Sequence, residues 1–140
     1  MAASWQAWAL ASAAFAALTA IFGKVGVAGV DSNLATLIRT LVILAFAASV
    51  VTATGAWRGA QIGGRTWLFL VLSGLATGAS WLCYFRALQL GEASRVAPLD
   101  KLSVVFVAVF AVLFLGERLS LQSGAGVALI AGGAILLALS

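Results

Sequence analysis

Five apolar runs, each about 20 residues long, occupy most of this chain: residues 5–22, 34–54, 67–88, 96–115 and 121–139. A helix rises about 1.5 Å per residue, so a run of about 20 apolar residues matches the hydrocarbon thickness of a bilayer. Inside that layer no water is present to bond backbone N–H and C=O groups. Only helices and closed β-barrels satisfy those groups internally. None of the five runs shows the polar–apolar alternation that a barrel strand needs. The fold class expected is therefore all-α: a polytopic membrane protein with five transmembrane helices in one domain over residues 1–140. Composition agrees, since only 9% of residues are charged, whereas a soluble domain carries about 25%.

The residue inventory removes several function classes. The chain has no His and a single Cys, Cys83, set within an apolar run. Cys/His zinc sites, His-based nucleophilic catalysis and an internal disulfide are excluded, and no metal or cofactor is expected. Paired carboxylates at catalytic spacing are also missing, so an enzyme is not expected. The net charge of +4 comes from bases scattered singly among apolar runs. That pattern does not suit nucleic acid, which selects a basic stripe. The first run contains Leu18-Thr19-Ala20, a possible cleavage site, but no Lys or Arg precedes it. It reads as a span and not as a signal peptide.

Five crossings place the two ends of the chain on opposite sides. Arg58, Arg65, Glu117 and Arg118 fall on the side of the N-terminus, and the other eight charges gather on the opposite side. Each side sums to a net charge of +2. Clear loop bases lean toward a cytoplasmic N-terminus, whereas the total of Lys and Arg leans the other way. Orientation is weakly coded, and insertion in both orientations is compatible with the charges. Several of the eight sit within spans. Arg39 lies five residues inside the second run, roughly 7–8 Å deep at about 1.5 Å per residue, and Asp100 and Lys101 lie at comparable depth in the fourth. Long basic side chains can snorkel to the headgroups, but Asp100 is short and needs a partner, water or a proton. Lys24, Arg39, Arg86, Asp100 and Lys101 are the candidate gate or coupling network.

The third run carries Ser73, Thr77, Ser80 and Tyr84 on one helical face, with Gly74, Gly78, Trp81 and Phe85 beside it. Two readings compete. The small residues can serve helix packing, as Gly74 and Gly78 form a GxxxG pair. Alternatively Ser73, Thr77, Ser80, Trp81 and Tyr84 wall a substrate pathway, with the aromatics stacking on a solute. In the fifth run Gly124, Ala128 and Gly132 form a small-residue seam for close packing. Pro98 opens two possibilities for the fourth run. It is an ordinary first-turn residue if the helix starts there, and it breaks a backbone hydrogen bond if the helix starts near Ser94. Broken helices of that kind build sites in transporters with inverted repeats.

The stretch Gly91-Glu92-Ala93-Ser94-Arg95-Val96-Ala97-Pro98-Leu99 continues to Phe114-Leu115-Gly116-Glu117-Arg118, Gly124 and Leu129-Ile130-Ala131-Gly132. Together with Gly23-Lys24 and Ile38-Arg39, these pieces resemble the EamA domain of the drug/metabolite transporter superfamily over nearly the whole chain. Most members of that family have ten helices in two inverted five-helix repeats around a central path. This sequence departs from the pattern in holding one repeat. The resemblance implies a secondary transporter of a small polar metabolite, an amino-acid-like solute or organic anion, working by alternating access. It also implies that two chains assemble: an antiparallel homodimer, or a pair with a paralogous partner of opposite orientation. The small multidrug exporters share the plan but place an acid mid-membrane in helix one, which this sequence lacks. The expected partners are thus the small-molecule solute, the lipid bilayer and a second chain, with no nucleic acid. The expected location is the prokaryotic cell membrane, as a multi-pass protein. The rival function is a non-transporting assembly or accessory subunit that uses the small-residue faces only for packing. A tag fused after Ser140 should be found on both sides of the membrane. Tags confined to one side would remove the antiparallel homodimer.

Overall fold

The computed structural model describes residues 4–140, and among them only helices, turns and coil occur. The helices are α1 (Trp5–Gly26), α2 (Ser32–Thr54), α3 (Gly64–Leu90), α4 (Ala93–Asp100), α5 (Ser103–Leu115) and α6 (Leu121–Leu139). Five stretches are long and apolar enough to cross a membrane: α1, α2, α3, the combined span Ala93–Leu115, and α6. The all-helical polytopic fold with five spans is therefore present. The first three helices extend two to four residues beyond their apolar runs at one or both ends. Backbone bonding continues into the polar flanks, where hydropathy no longer signals a helix.

Several helix ends are closed by an identifiable group. Asp31 caps α2, its Oδ1 accepting from the backbone N–H groups of Asn33 (2.9 Å) and Leu34 (3.1 Å). Ser120 does the same for α6 through the Ser123 N–H, at 3.1 Å. Such side chains satisfy N–H groups that have no partner within the helix. Gly55 and Gly116 end α2 and α5 in the left-handed conformation, each with φ of 67°. The N–H groups of Gly116 and Glu117 both return to the Ala111 carbonyl, using an acceptor that the last turn leaves open.

The fourth apolar run is where the expected single helix, residues 96–115, divides. It begins three residues earlier, at Ala93, so Pro98 lies inside α4. Pro98 has no N–H to give the Ser94 carbonyl. Beyond it the chain tightens. Lys101 N–H donates to the Pro98 carbonyl, Leu102 to Leu99, Val104 to Lys101 and Val105 to Leu102, all at 2.9–3.0 Å. Bonds at this i→i+3 spacing are those of a 3₁₀ turn. The turn separates α4 from α5 and holds Asp100 and Lys101 at the break.

The chain forms two compact units, one of Met1–Phe22 with Leu90–Ser140 and the other of Gly23–Gln89. In the first, α6 packs against α4 and α5. In the second, the end of α1 meets the end of α3. A Cβ added at Gly23 would lie 3.3 Å from Leu88 Cδ1 and 3.4 Å from Phe85 Cζ. Val27, Phe85 and Leu88 of this unit are buried. Elsewhere the helix walls are open: only 6% of each spanning window is buried. Apolar walls of this kind suit lipid, and no intrachain core of ordinary size is required to hold them.

Gly116→Ala should lower stability by about 1–2 kcal/mol, the cost of a left-handed L-residue. An added Cβ there meets nothing within 4 Å, so the loss would be purely conformational. Thermal unfolding in detergent measures it. Gly63→Ala, also in open space but at ordinary φ, should shift the midpoint less.

Candidate functional site

The unit Gly23–Gln89 brings together Lys24, Arg39, the α3 polar face and Arg86, whereas Asp100 and Lys101 belong to the other unit. Arg39 lies seven residues into α2, about 10 Å along the helix at about 1.5 Å per residue. Its guanidinium carbon sits over the Trp81 ring, 4.1 Å from the centroid, and 5.1 Å from that of Phe85. Trp81 and Phe85 are four apart on α3, so one helical face presents both rings to one cation. Tyr84 stands beside them, its ring 6.3 Å from that of Phe85 in an edge-on arrangement.

The Arg39 Nη1 is buried and has no hydrogen-bond partner. The ion pairs among the described residues are Glu92–Arg95 at 3.4 Å and Asp100–Lys101 at 3.3 Å, so Arg39 is held by rings and not by a carboxylate. Arg39 is partly buried, so its cation–π contact stabilises by about 0.5–2 kcal/mol. An unsatisfied buried donor costs about 1–3 kcal/mol. The two roughly cancel, which leaves the guanidinium positioned but with an unmet hydrogen-bonding demand.

At the same end of α3, two side chains exchange caps. Lys24 on α1 donates from Nζ to the Leu88 carbonyl at 2.7 Å. That carbonyl is among the last four of α3, where the helix dipole also favours a cation. In return Gln89 on α3 donates from Nε2 to the Val30 carbonyl at 2.8 Å and, more weakly, to the Val27 carbonyl at 3.4 Å. Both acceptors lie in the turn after α1. The Gln89 Oε1 accepts from Arg86 Nη1 at 2.6 Å, which orients the amide. Lys24 and Arg86, grouped by sequence with a gate, thus hold this α1–α3 junction. In the sequence Gln89 carries no signal of this role, since a glutamine just past an apolar run reads as the start of a loop.

The remaining candidates divide. Ser73, Thr77 and Ser80 are exposed on α3. The Thr77 hydroxyl donates to the Ser73 carbonyl at 2.9 Å, so part of this face is satisfied within the helix. Asp100 and Lys101 pair with each other at the α4–α5 break, both partly exposed. No group of three or more His, Cys, Asp or Glu side chains suited to a metal occurs among the described residues. Gln89→Leu would leave the Val30 carbonyl and the Arg86 guanidinium without this partner. A stability loss of about 1–3 kcal/mol is expected, measured as a lower unfolding midpoint in detergent.

Comparison with known proteins agrees with the helical pattern. The model of the EamA-like transporter family matches residues 3–139. A protein from Sinorhizobium sp, named as an uncharacterized transporter in cobO 3'region, is 69% identical over 139 residues, covering 99% of each chain. No solved structure matches. The relative is thus of nearly the same length, and one EamA domain accounts for nearly all of this chain. With five spanning helices and a family match along almost its whole length, this chain is a multi-pass membrane protein that belongs to the EamA-like transporter family.

Proposed function

We propose that the chain is a secondary transporter of a small polar metabolite, amino-acid-like or an organic anion, working by alternating access as an antiparallel homodimer in a prokaryotic cell membrane. Membership of a transporter family supports the general activity. The observation that carries the finer reading is the exposed face of α3. Ser73, Thr77 and Ser80 lead along it to Trp81 and Tyr84, in a chain whose spanning windows are only 6% buried. A polar stripe is poorly placed against lipid tails. A second copy in the opposite orientation would cover it and enclose a path near the midplane, as inverted repeats do. A paralogous partner of opposite orientation would do so equally.

In this reading Ser73, Thr77, Ser80, Trp81 and Tyr84 wall the path. Arg39 stands at its end beside Trp81. Asp100 and Lys101 sit at the broken fourth span, where a 3₁₀ turn makes a natural hinge, and Asp100 is the acid placed to carry a coupling proton. Lys24 and Arg86 keep the α1–α3 junction rigid while the path changes sides.

Purified protein in liposomes should take up labelled amino acids or organic acids saturably, and cross-linking should trap dimers. Asp100→Asn and Arg39→Ala should each lower flux at least tenfold. Unchanged flux in both variants would remove the roles assigned to these residues. Co-purification with an unrelated complex and no flux would favour the accessory subunit.

A further inference from the structure

Arg39 has a feature that neither packing nor snorkelling explains. A snorkelling side chain takes its charge to water, whereas Arg39 is only partly exposed and its Nη1 is buried with no acceptor. A packing arginine is ordinarily paired, yet both ion pairs among the described residues lie elsewhere, at Glu92–Arg95 and Asp100–Lys101. Instead the guanidinium is fixed over Trp81 at 4.1 Å and near Phe85 at 5.1 Å. Aromatic rings occupy the face of a guanidinium and accept nothing from its in-plane N–H groups. Those N–H groups form the planar fork that matches a carboxylate. The rings therefore set the resting position of the guanidinium and leave a hydrogen-bonding demand for another molecule to meet.

We propose that Arg39, clamped by Trp81 and Phe85, is the site that binds the carboxylate of the transported solute, so that the solutes of this chain are carboxylates. This rests on the transport reading above and names its substrate class. Because Nη1 is shielded by its surroundings, a carboxylate oxygen reaches it only as the guanidinium shifts against the rings. Binding is then coupled to a local movement between α2 and α3, and Trp81 reports it. The fork requirement separates this site from a mere positive charge, which lysine would supply equally well.

The test uses the full chain in maltoside micelles, which contain no anion. Trp5, Trp8, Trp57 and Trp67 are replaced by Phe, so that Trp81 is the remaining tryptophan. Acetate and benzoate are titrated against their neutral analogues acetamide and benzamide, and Trp81 emission is followed. The carboxylates should give saturable changes at concentrations at least tenfold lower than the amides. Arg39→Gln should abolish the difference, and Arg39→Lys should weaken carboxylate binding at least tenfold. If the four-fold Trp variant does not fold, as judged by circular dichroism, calorimetric titration of the otherwise unaltered chain gives the same comparison.

Equal responses to acid and amide, full retention in Arg39→Lys, or no saturable response to either carboxylate would overturn the proposal. So would an equal response to inorganic phosphate. Phosphatidic acid that changes Trp81 emission and blocks benzoate would assign the site to a lipid headgroup, which also overturns it. The liposome assay separates the two levels. Flux that is indifferent to Arg39 leaves the transporter and removes this site. Carboxylate binding without flux leaves the site and removes the transporter.

Discussion

In a bilayer the backbone has no solvent to fall back on, and this chain is organised around that fact. Several departures from regular helix are closed by a nearby group. Asp31 and Ser120 supply side-chain oxygens at helix starts, and Gly55 and Gly116 turn the chain left-handed at helix ends. Where Pro98 removes a donor, the next residues adopt 3₁₀ bonds from Lys101 to Val105. The same demand governs the side chains. The hydroxyls of Thr36, Thr40, Ser49, Thr52 and Thr77 each return to the carbonyl four residues back.

That rule gives the α1–α3 junction its logic. Lys24 and Gln89 sit on different helices, and each satisfies carbonyls belonging to the other's end. Charge and amide are thereby used up in holding the frame. Arg39 follows no such rule. It meets rings in place of acceptors, and its Nη1 remains unsatisfied. Among the described residues it is the buried side-chain nitrogen or oxygen without a partner, and the carboxylate proposal rests on that difference.

Much of this was legible beforehand. The five spans follow from run length alone, since about 20 apolar residues have no other stable arrangement in lipid. Pro98 reads as a break if its helix begins early, and it does begin early, at Ala93. What hydropathy did not reveal was the length of α3, whose last turn holds Gln89. A polar residue at a helix end carries no periodic signal, and its role depends on which carbonyls the neighbouring turn presents. Counting crossings groups the charges by side of the membrane, but it does not reveal the partner of each.

The sequence by itself determined that this chain crosses a membrane five times and that its repeat is of the EamA type. Both are properties of local hydropathy and short motifs, which act along the chain and need no neighbour. Only the tertiary structure decided which bases serve the frame and which is left unsatisfied. Lys24, Arg39 and Arg86 are alike as sequence, each a single base near the end of an apolar run. One finds a helix carbonyl, one an amide oxygen and one the faces of two rings. Residues up to 64 positions apart make those contacts, and packing alone sets their distances.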